Sequence, residues 1–435
     1  MEQPVIEEKA TGRSLVVVPK KGGLRGVFRA LGPGLVTGAA DDDPSGIATY
    51  SQVGAQYGFQ MAWVLLFSYP LMAVIQAISA RIGLVTGRGI AQNLRRHYPH
   101  WLLRGVVLLL LIANIANLGA DLGAMGSALQ LLIGGSTLLY TIIFAAICVG
   151  LEIFLSYARY ASILKWMTLS LFAYVAVVFV VHVPWGEALR RTFIPQMTFG
   201  SDQIMALVAV LGTTISPYLF FWQASQEVEE KLKRNAKLLF TGPSDTEGEL
   251  ERIRIDTWVG MGFSNVISWF IILAAAATLH AHGVTQIATA GQAAEALRPI
   301  AGNFSFAIFA LGIIGTGMLA VPVLAGSGAY AVCESFNWVE GLDHKLRDAQ
   351  AFYGVIALST FLGALLNFLH VDPIKALYWS AVLNGVLAGP IMAAMMLIAT
   401  NRKIMGTLRL PRSMTIAGWF ATLVMCAASA GLFVH

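Results

Sequence analysis

The chain has 435 residues, of which 57% are hydrophobic and 12% are charged, whereas an ordinary soluble domain has about 25% charged residues. Its apolar residues form blocks of about 20 or more, which excludes a soluble protein and indicates a polytopic α-helical protein of the lipid bilayer. A β-barrel would show alternating segments of about 10 residues instead. The net charge of +5 does not indicate nucleic acid as a partner, because basic residues in membrane proteins mostly set the orientation.

A polar tail over residues 1–28 precedes the apolar spans, and it lacks the apolar core of a signal peptide. Eleven spans are predicted, at about 29–54, 60–82, 103–132, 137–156, 160–183, 203–228, 255–279, 303–331, 351–369, 374–399 and 413–434. Their connections are short except between the sixth and seventh spans, where residues 229–254 carry charges of both signs. This connection is predicted to form a solvated helical hairpin.

The distribution of Lys and Arg predicts the orientation. With the N-terminus in the cytoplasm, 25 of the 29 basic residues lie on the cytoplasmic side. The other four are Arg190, Arg191, Arg298 and Lys375. Because cytoplasmic loops are enriched in Lys and Arg, the sequence predicts a multi-pass protein of the inner or plasma membrane, with a cytoplasmic N-terminus and an external C-terminus.

Two spans carry helix breakers at mid-depth. In the first span, residues 43–46 read Asp-Pro-Ser-Gly and follow two further acids, Asp41 and Asp42. A carboxylate at the centre of a membrane helix costs about 2.5–3.5 kcal/mol, so an ordinary proline kink does not explain these acids. In the sixth span, residues 212–217 read Gly-Thr-Thr-Ile-Ser-Pro.

The two breaks occupy equivalent positions, because five spans begin at each of them. Interrupted helices at matching positions are typical of inverted-repeat transporters, which bind their substrate near the bilayer midplane. The predicted fold is therefore all-α, with a LeuT-like 5+5 inverted repeat. The first repeat is expected over residues 29–184 and the second over 203–400, with an eleventh span at 413–434.

The break positions offer oxygen ligands. Asp43, Thr213 and Ser216 are the candidates, together with backbone carbonyls that unwinding frees, and none of these positions offers sulfur or imidazole. Oxygen ligands suit Mg²⁺ and Mn²⁺ better than they suit softer metals. Because consecutive helical residues point about 100° apart, the three aspartates cannot all contact one ion. We assign the closest contact with the ion to Asp43. Asp42 is assigned to a water-mediated position or to the access path, and Asp41 to the aqueous vestibule.

Two residues outside the breaks are further candidates for the pathway. Asn384 of the tenth span offers an amide oxygen or packs between helices, and Asp121 of the third span is either solvated in the pathway or bonded to the neighbouring backbone. At mid-depth the sequence has no Ser/His/Asp set and no His-rich set of the kind an enzyme would need, and no cofactor is expected.

The first two spans resemble the NRAMP family of divalent-metal transporters over residues 31–91, and the likeness covers most of the chain. The family's first-span motif is Asp-Pro-Gly-Asn and its sixth-span motif is Ala-x-x-Met-Pro-His. The resemblance implies a metal site at Asp43, Gly46, Thr213 and Ser216. Gly46 stands where the family has Asn and offers only backbone, and Ser216 stands where it has Met.

The departures from the family pattern also affect proton movement. Two family histidines correspond to Tyr218 and Gln223, and Ala124 stands where the family has the glutamate that follows Asp121. This pattern is similar to the NRAMP-related magnesium transporters. Candidates for an outer or pathway role are Asp41, Asp42, Asp121, Thr214, Tyr218, Gln223 and Asn384. The expected function is transport of Mg²⁺ or Mn²⁺ without tight proton coupling. The alternatives are a proton-coupled Mn²⁺/Fe²⁺ transporter, a sodium-coupled organic-solute symporter and a channel.

Overall fold

The computed structural model describes residues 33–154, 167–198, 200–233, 246–369 and 371–434, and this part of the chain is helical without strands. The predicted tail, residues 1–28, lies outside it. The helices are α1 (Pro33–Asp41), α2 (Pro44–Tyr57), α3 (Trp63–Thr86), α4 (Ile90–His97), α5 (His100–Ile133), α6 (Thr137–Phe154), α7 (Phe172–Val180), α8 (Trp185–Phe193), α9 (Ser201–Thr214), α10 (Pro217–Lys233), α11 (Thr246–Thr278), α12 (Ala290–Glu295), α13 (Arg298–Ala301), α14 (Ser305–Phe336), α15 (Gln350–Leu366), α16 (Pro373–Thr400), α17 (Arg402–Met405) and α18 (Arg412–Val434).

Nine helical segments in the described ranges are long and apolar enough to cross a membrane. The first predicted span is not among them because it is divided into α1 and α2, each shorter than a membrane crossing. The fifth is represented by an apolar helix over Leu169–Val180, and the predicted residues before it, 160–166, lie outside the described ranges. The eleven expected spans are therefore accounted for. The division into repeats at 29–184 and 203–400 stays a prediction.

The first break follows from local chemistry. Pro44 occupies the first turn of α2, where its missing N–H costs nothing. Asp43 caps this helix: its backbone is extended (φ −72°, ψ 170°) and its carboxylate accepts from the Gly46 amide at 2.7 Å. An Asp at this position satisfies one of the free amides of the first turn.

The second break has its own local cause. Pro217 begins α10 after α9 ends at Thr214, and unwinding frees the carbonyls of the last turn of α9. Hydroxyls recover several of them. Ser216 donates to the Gly212 and Thr213 carbonyls at 3.0 and 2.9 Å, and Thr214 donates to the Val210 carbonyl at 2.9 Å. Three other prolines, Pro70, Pro322 and Pro390, lie inside continuous helices.

The broken spans lie at the centre of the bundle. In the sixth span, Ser201–Leu232, 89% of the most apolar window is buried, whereas α6 and α18 bury only 22% of theirs. Small residues allow close helix contacts there. A Cβ atom on Gly38 of α1 would collide with the Gly260 carbonyl of α11, and one on Gly212 of α9 would collide with the Ala381 carbonyl of α16. Small residues at such contacts are typical of membrane helix packing.

Segments that the sequence places on one side of the membrane meet at one end of the structure. A cavity of about 900 Å³ is lined by residues of the connection after α5, of α12 and of the start of α16. A second, of about 280 Å³, is lined by residues near the end of α2, the start of α9 and the start of α16. All of these segments belong to the predicted external side. The structure supports their common end, and the orientation itself stays a prediction.

The opposite end contains a buried ion cluster. The predicted hairpin is helical at both of its described ends, as expected, but part of its charge is buried and not solvated. The Arg252 side chain is only 4% exposed and contacts Glu227, which is 0% exposed, at 2.7 Å and Glu249 at 3.0 Å. Asp256, one turn further on α11, accepts from the Gly34 amide of α1 at 2.7 Å. Packing of α11 against α1 and α10 therefore buries charges that the sequence alone placed in water.

Candidate metal centre at the helix breaks

The two breaks contact each other. A Cβ atom built on Gly46 would lie 3.1 Å from the Thr213 hydroxyl oxygen and 3.5 Å from the Asp41 carbonyl oxygen. Across the same interface, the Tyr218 hydroxyl donates to the Ala40 carbonyl at 3.1 Å. The structure thus brings the first and sixth spans together at the residues that the sequence singled out.

Asp43 lies at the centre of this region and is 2% exposed. One carboxylate oxygen accepts from the Gly46 amide at 2.7 Å. The other accepts from the Asn117 side-chain amide at 3.0 Å, with the Tyr218 hydroxyl 3.5 Å away. None of the ion pairs in the described ranges involves Asp43, so its charge is oriented by neutral donors and stays available to a cation.

The third span contributes more than the sequence predicted. Asn117 of α5 was missed, although Asn114, Asn117 and Asp121 are spaced i, i+3 and i+7 and so share one face of an apolar helix. That spacing was the available signal. The amide oxygen of Asn117 and both carboxylate oxygens of Asp121 are buried, without a hydrogen-bond partner in the described part of the chain. Asp121 faces the first turn of α2, within electrostatic reach of Asp43 and of the Ser45 amide.

The sixth-span candidates are buried beside this carboxylate pair. Thr213 and Ser216 are each 2% exposed. Because the single hydrogen of the Ser216 hydroxyl is directed to the Gly212 or the Thr213 carbonyl, its oxygen lone pairs remain free to bind a cation. The Thr213 carbonyl accepts one of these bonds and retains a second lone pair. Thr214 instead turns its hydroxyl back to its own helix.

Asp41 and Asp42 point to a different helix. The Ser264 hydroxyl of α11 lies 2.8 Å from an Asp41 carboxylate oxygen and 3.0 Å from an Asp42 oxygen, and Ser268 lies 3.3 Å from the same Asp42 oxygen. The three aspartates are therefore divided, with Asp43 facing α5 and the other two facing α11.

The remaining pathway candidates differ in their surroundings. Gln223 is held between α3 and α11: its carbonyl accepts from Gln76 at 2.5 Å and its amide donates to Thr257 at 3.1 Å. These contacts keep it away from Asp43. Asn384 is buried on α16, one turn after Ser380, whose hydroxyl lies 3.2 Å from the Ser45 hydroxyl. Its helix face is therefore the one that contacts the start of α2.

The helix ends add to the electrostatic field. The carboxyl ends of α1 and α9 meet at the breaks, and a helix carboxyl end carries a partial negative charge. With Asp43 and Asp121 beside them, the region attracts a cation. In the described ranges, no group of three or more His, Cys, Asp and Glu side chains could hold a metal. A cation here would therefore rely on two carboxylates with neutral oxygens.

One sulfur atom lies near this region and was not among the sequence candidates. Met125 of α5 is one turn after Asp121 and is fully buried. A Cβ atom on Gly317 of α14 would lie 2.6 Å from the Met125 sulfur and 3.2 Å from the ring of Pro44. The thioether therefore packs beside the start of α2, which the break motifs alone did not indicate.

An all-helical chain whose first and sixth spans are both broken, with the breaks in contact, has the LeuT-like transporter fold. The chain belongs to the natural resistance-associated macrophage protein-like (Nramp) family, whose model matches residues 34–435. This confirms the resemblance, which covers most of the chain and is strongest over residues 31–91.

Curated relatives and solved structures agree with this assignment. The chain is 24% identical to the divalent metal cation transporter MntH of Deinococcus radiodurans, covering 93% of this chain and 89% of the relative. It is 26% identical to MntH of Klebsiella pneumoniae, covering 93% of each. The structure matches the Eremococcus coleocola manganese transporter with a TM-score of 0.73 at 15% identity, covering 96% of this chain and 89% of the other. These relatives are named as transporters, and the chain is not an enzyme.

Proposed function

We propose that this protein transports a hard divalent cation, Mg²⁺ or Mn²⁺, by alternating access, and that Asp43 is its principal ligand. Three buried oxygen atoms beside Asp43 carry the proposal, because none of them has a hydrogen-bond partner among the described residues: both carboxylate oxygens of Asp121 and the amide oxygen of Asn117. Buried polar atoms normally have partners, and a bound cation would supply one for all three.

The ligand chemistry favours an all-oxygen site. Asp43, Thr213 and Ser216 offer carboxylate, carbonyl and hydroxyl oxygens, which suit Mg²⁺ and Mn²⁺. Gly46 supplies no side-chain ligand where the family has Asn, and the Asn117 amide oxygen offers a replacement from α5. Mg²⁺ usually keeps several waters, so two carboxylates with neutral oxygens are sufficient ligands for it.

Proton coupling is not tight in this proposal. At the family's histidine positions, Tyr218 donates to the Ala40 carbonyl and Gln223 is held by Gln76 and Thr257. A glutamine does not titrate, and a tyrosine of ordinary pKa near 10 keeps its proton at neutral pH. Uptake of a doubly charged cation alone responds to the membrane potential, by about 2.3 kcal/mol per charge for each 100 mV.

The alternative with a specific observation behind it is proton-coupled Mn²⁺/Fe²⁺ transport of the ordinary family type. Met125 places a thioether beside Pro44, and a thioether favours softer transition metals. In this case Met125→Leu would lower Mn²⁺ uptake relative to Mg²⁺ uptake. In the proposed function the ratio stays unchanged, because Met125 packs against Gly317 without binding the ion.

Uptake into proteoliposomes tests the proposal. Mg²⁺, Mn²⁺, Ca²⁺ and Zn²⁺ are compared at a clamped potential while the internal pH is recorded. We expect saturable Mg²⁺ or Mn²⁺ uptake that is driven by voltage without stoichiometric acidification. Asp43→Asn should lower it at least about tenfold, a loss of about 1.4 kcal/mol or more. Asp348→Asn, at an exposed position outside the helices, is the control. Full uptake by the Asp43 variant, or stoichiometric acidification, would contradict the proposal.

A further inference from the structure

Asp41 and Asp42 share too few hydrogen-bond donors for two carboxylates. The Ser264 hydroxyl lies within bonding distance of both, but its single hydrogen can serve only one of them. The Ser268 hydroxyl is likewise divided between Asp42 and the Ser264 carbonyl, at 3.3 and 3.0 Å. One oxygen of Asp41 is buried without any partner in the described residues.

The pair also lacks a compensating charge. Asp41 and Asp42 are 1% and 2% exposed, and none of the ion pairs found within the described ranges includes either of them. Two neighbouring buried carboxylates repel each other and lose their hydration, so both stay charged only if a cation lies between or beside them.

A third kind of ligand faces the same place from α2. Tyr50 is fully buried, and its hydroxyl has no hydrogen-bond partner in the described part of the chain. This hydroxyl lies within electrostatic reach of Asp41, Asp42 and Asp43 and faces the Ser268 hydroxyl. It is a buried oxygen from a separate helix that faces the acidic pair and Ser268.

We propose that Asp41, Asp42, Tyr50, Ser264 and Ser268 form a second cation site, on the α11 side of the first break. Its ligands are oxygens throughout, so it takes a hard divalent cation. The site is separate from Asp43, whose two carboxylate oxygens are oriented by Gly46 and Asn117. It rests on the proposed function, because its occupant is the transported ion on its way between Asp43 and the side of the membrane at which α1 begins.

The number of bound ions tests this proposal. Mn²⁺ is the probe, and equilibrium dialysis with the full-length purified protein measures the ions bound per chain at saturation. We expect two in the native protein, one in Asp41→Asn/Asp42→Asn and one in Asp43→Asn. Electron paramagnetic resonance gives a second readout, because two neighbouring Mn²⁺ ions broaden each other's signal. This broadening should disappear in both variants.

The outcomes separate this site from the proposed function. If the native protein binds one ion, and this ion is lost in Asp43→Asn and kept in the double variant, the second site is overturned. Asp43 then remains the transport ligand. Carboxylates that hold protons in place of a metal would give this same pattern. If the native protein binds one ion, and this ion is kept in Asp43→Asn and lost in the double variant, the result supports the second site and contradicts the assignment of Asp43 as the principal ligand.

A milder variant covers the case in which the double variant fails to fold. Ser264→Ala keeps both carboxylates and removes one ligand, so it should weaken the second ion about tenfold and leave the first unchanged. Ser335→Ala is its control, since that hydroxyl bonds only within its own helix. Equal affinities for both ions in Ser264→Ala and the native protein would contradict the site.

Discussion

A Cβ atom on Gly46 would lie 3.1 Å from the Thr213 hydroxyl, so these two residues divide one small volume between the broken spans. The family has a larger residue at the first position and a smaller one at the second, Asn and Ala. The exchange in this chain therefore restores part of the lost volume across the contact, because Thr213 adds less side-chain volume than Gly46 removes. In this chain the larger of the two residues is Thr213 on the sixth span, whereas in the family it is the Asn on the first span.

This relationship predicts that the two positions are coupled. Gly46→Asn should lower metal uptake about fivefold or more, because crowding of a packed interior costs about 1–3 kcal/mol. Adding Thr213→Ala should restore most of the uptake by making room for the new side chain. Gly105→Asn is the control, since a Cβ atom at that helical glycine would meet no atom within 4 Å. Strictly additive effects of the two changes would show that the residues do not share this space.

The hydrogen bond from Asn117 predicts a role in metal affinity. Asn117→Ala removes the donor that orients Asp43 at 3.0 Å. Because a hydrogen bond to a charged group contributes about 1.5–3 kcal/mol, the KM for the metal should rise about tenfold or more. Asn114→Ala is the matched comparison. Asn114 bonds to the Leu324 carbonyl and Ser327, away from Asp43, so its loss should lower the Tm with little change in KM.

Ser216→Met tests whether this position faces the ion. The substitution restores the thioether of the family motif, and the ratio of Mn²⁺ or Cd²⁺ uptake to Mg²⁺ uptake should rise. Ser216→Leu has similar volume without sulfur and separates the chemical effect from crowding. An unchanged ratio in the Met variant, with uptake preserved, would mean that the Ser216 side chain does not reach the metal.

The buried ion cluster predicts a large stability difference between two arginines on one helix. Arg252→Leu leaves the buried Glu227 unpaired and should destabilise the protein by about 3–5 kcal/mol. Arg254→Leu breaks an exposed pair with Glu251 and should cost about 1 kcal/mol or less. Thermal unfolding in detergent measures both changes. Equal Tm values for the two variants would show that the buried pair does not stabilise the α10–α11 contact.

The predicted orientation is tested by labelling. Single cysteines replace Arg190, which is exposed, or Arg95, which is half-buried, in a protein whose three native cysteines are substituted. On intact cells an impermeant thiol reagent should react at position 190 and not at position 95. Reaction at position 95 would reverse the orientation.

Local signals in the sequence were enough to find the breaks and Asp43. Proline, glycine and acidic residues within an apolar run are visible in a few consecutive letters. Asn117 was missed because its partner Asp43 is 74 positions away, and an asparagine in an apolar span looks the same whether it binds a carboxylate or packs between helices.

The directions of Asp41 and Asp42 were also beyond local signals. They depend on Ser264 and Ser268, which reach the acids only because α11 packs along α1. The buried Arg252 cluster has the same cause. A charged stretch predicts solvent exposure unless the helix that covers it is known, and helix neighbours are set by packing over the whole bundle.

The contacts that α11 makes with α1 and the first break recur every four residues along α11. Asp256, Gly260 and Ser264 meet Gly34, Gly38 and Asp41 of α1 in turn, and Ser268 meets Asp42, which directly follows α1. Four helical residues rise about 6 Å, so neighbouring contacts lie about 6 Å apart along α11. A slide of α1 by less than this distance would bring larger side chains against the glycine contacts. The two helices therefore fit at one register. We therefore expect α1 to separate from α11 by rotating about the extended backbone at Asp43, so that all of these contacts break together, and not by sliding along α11.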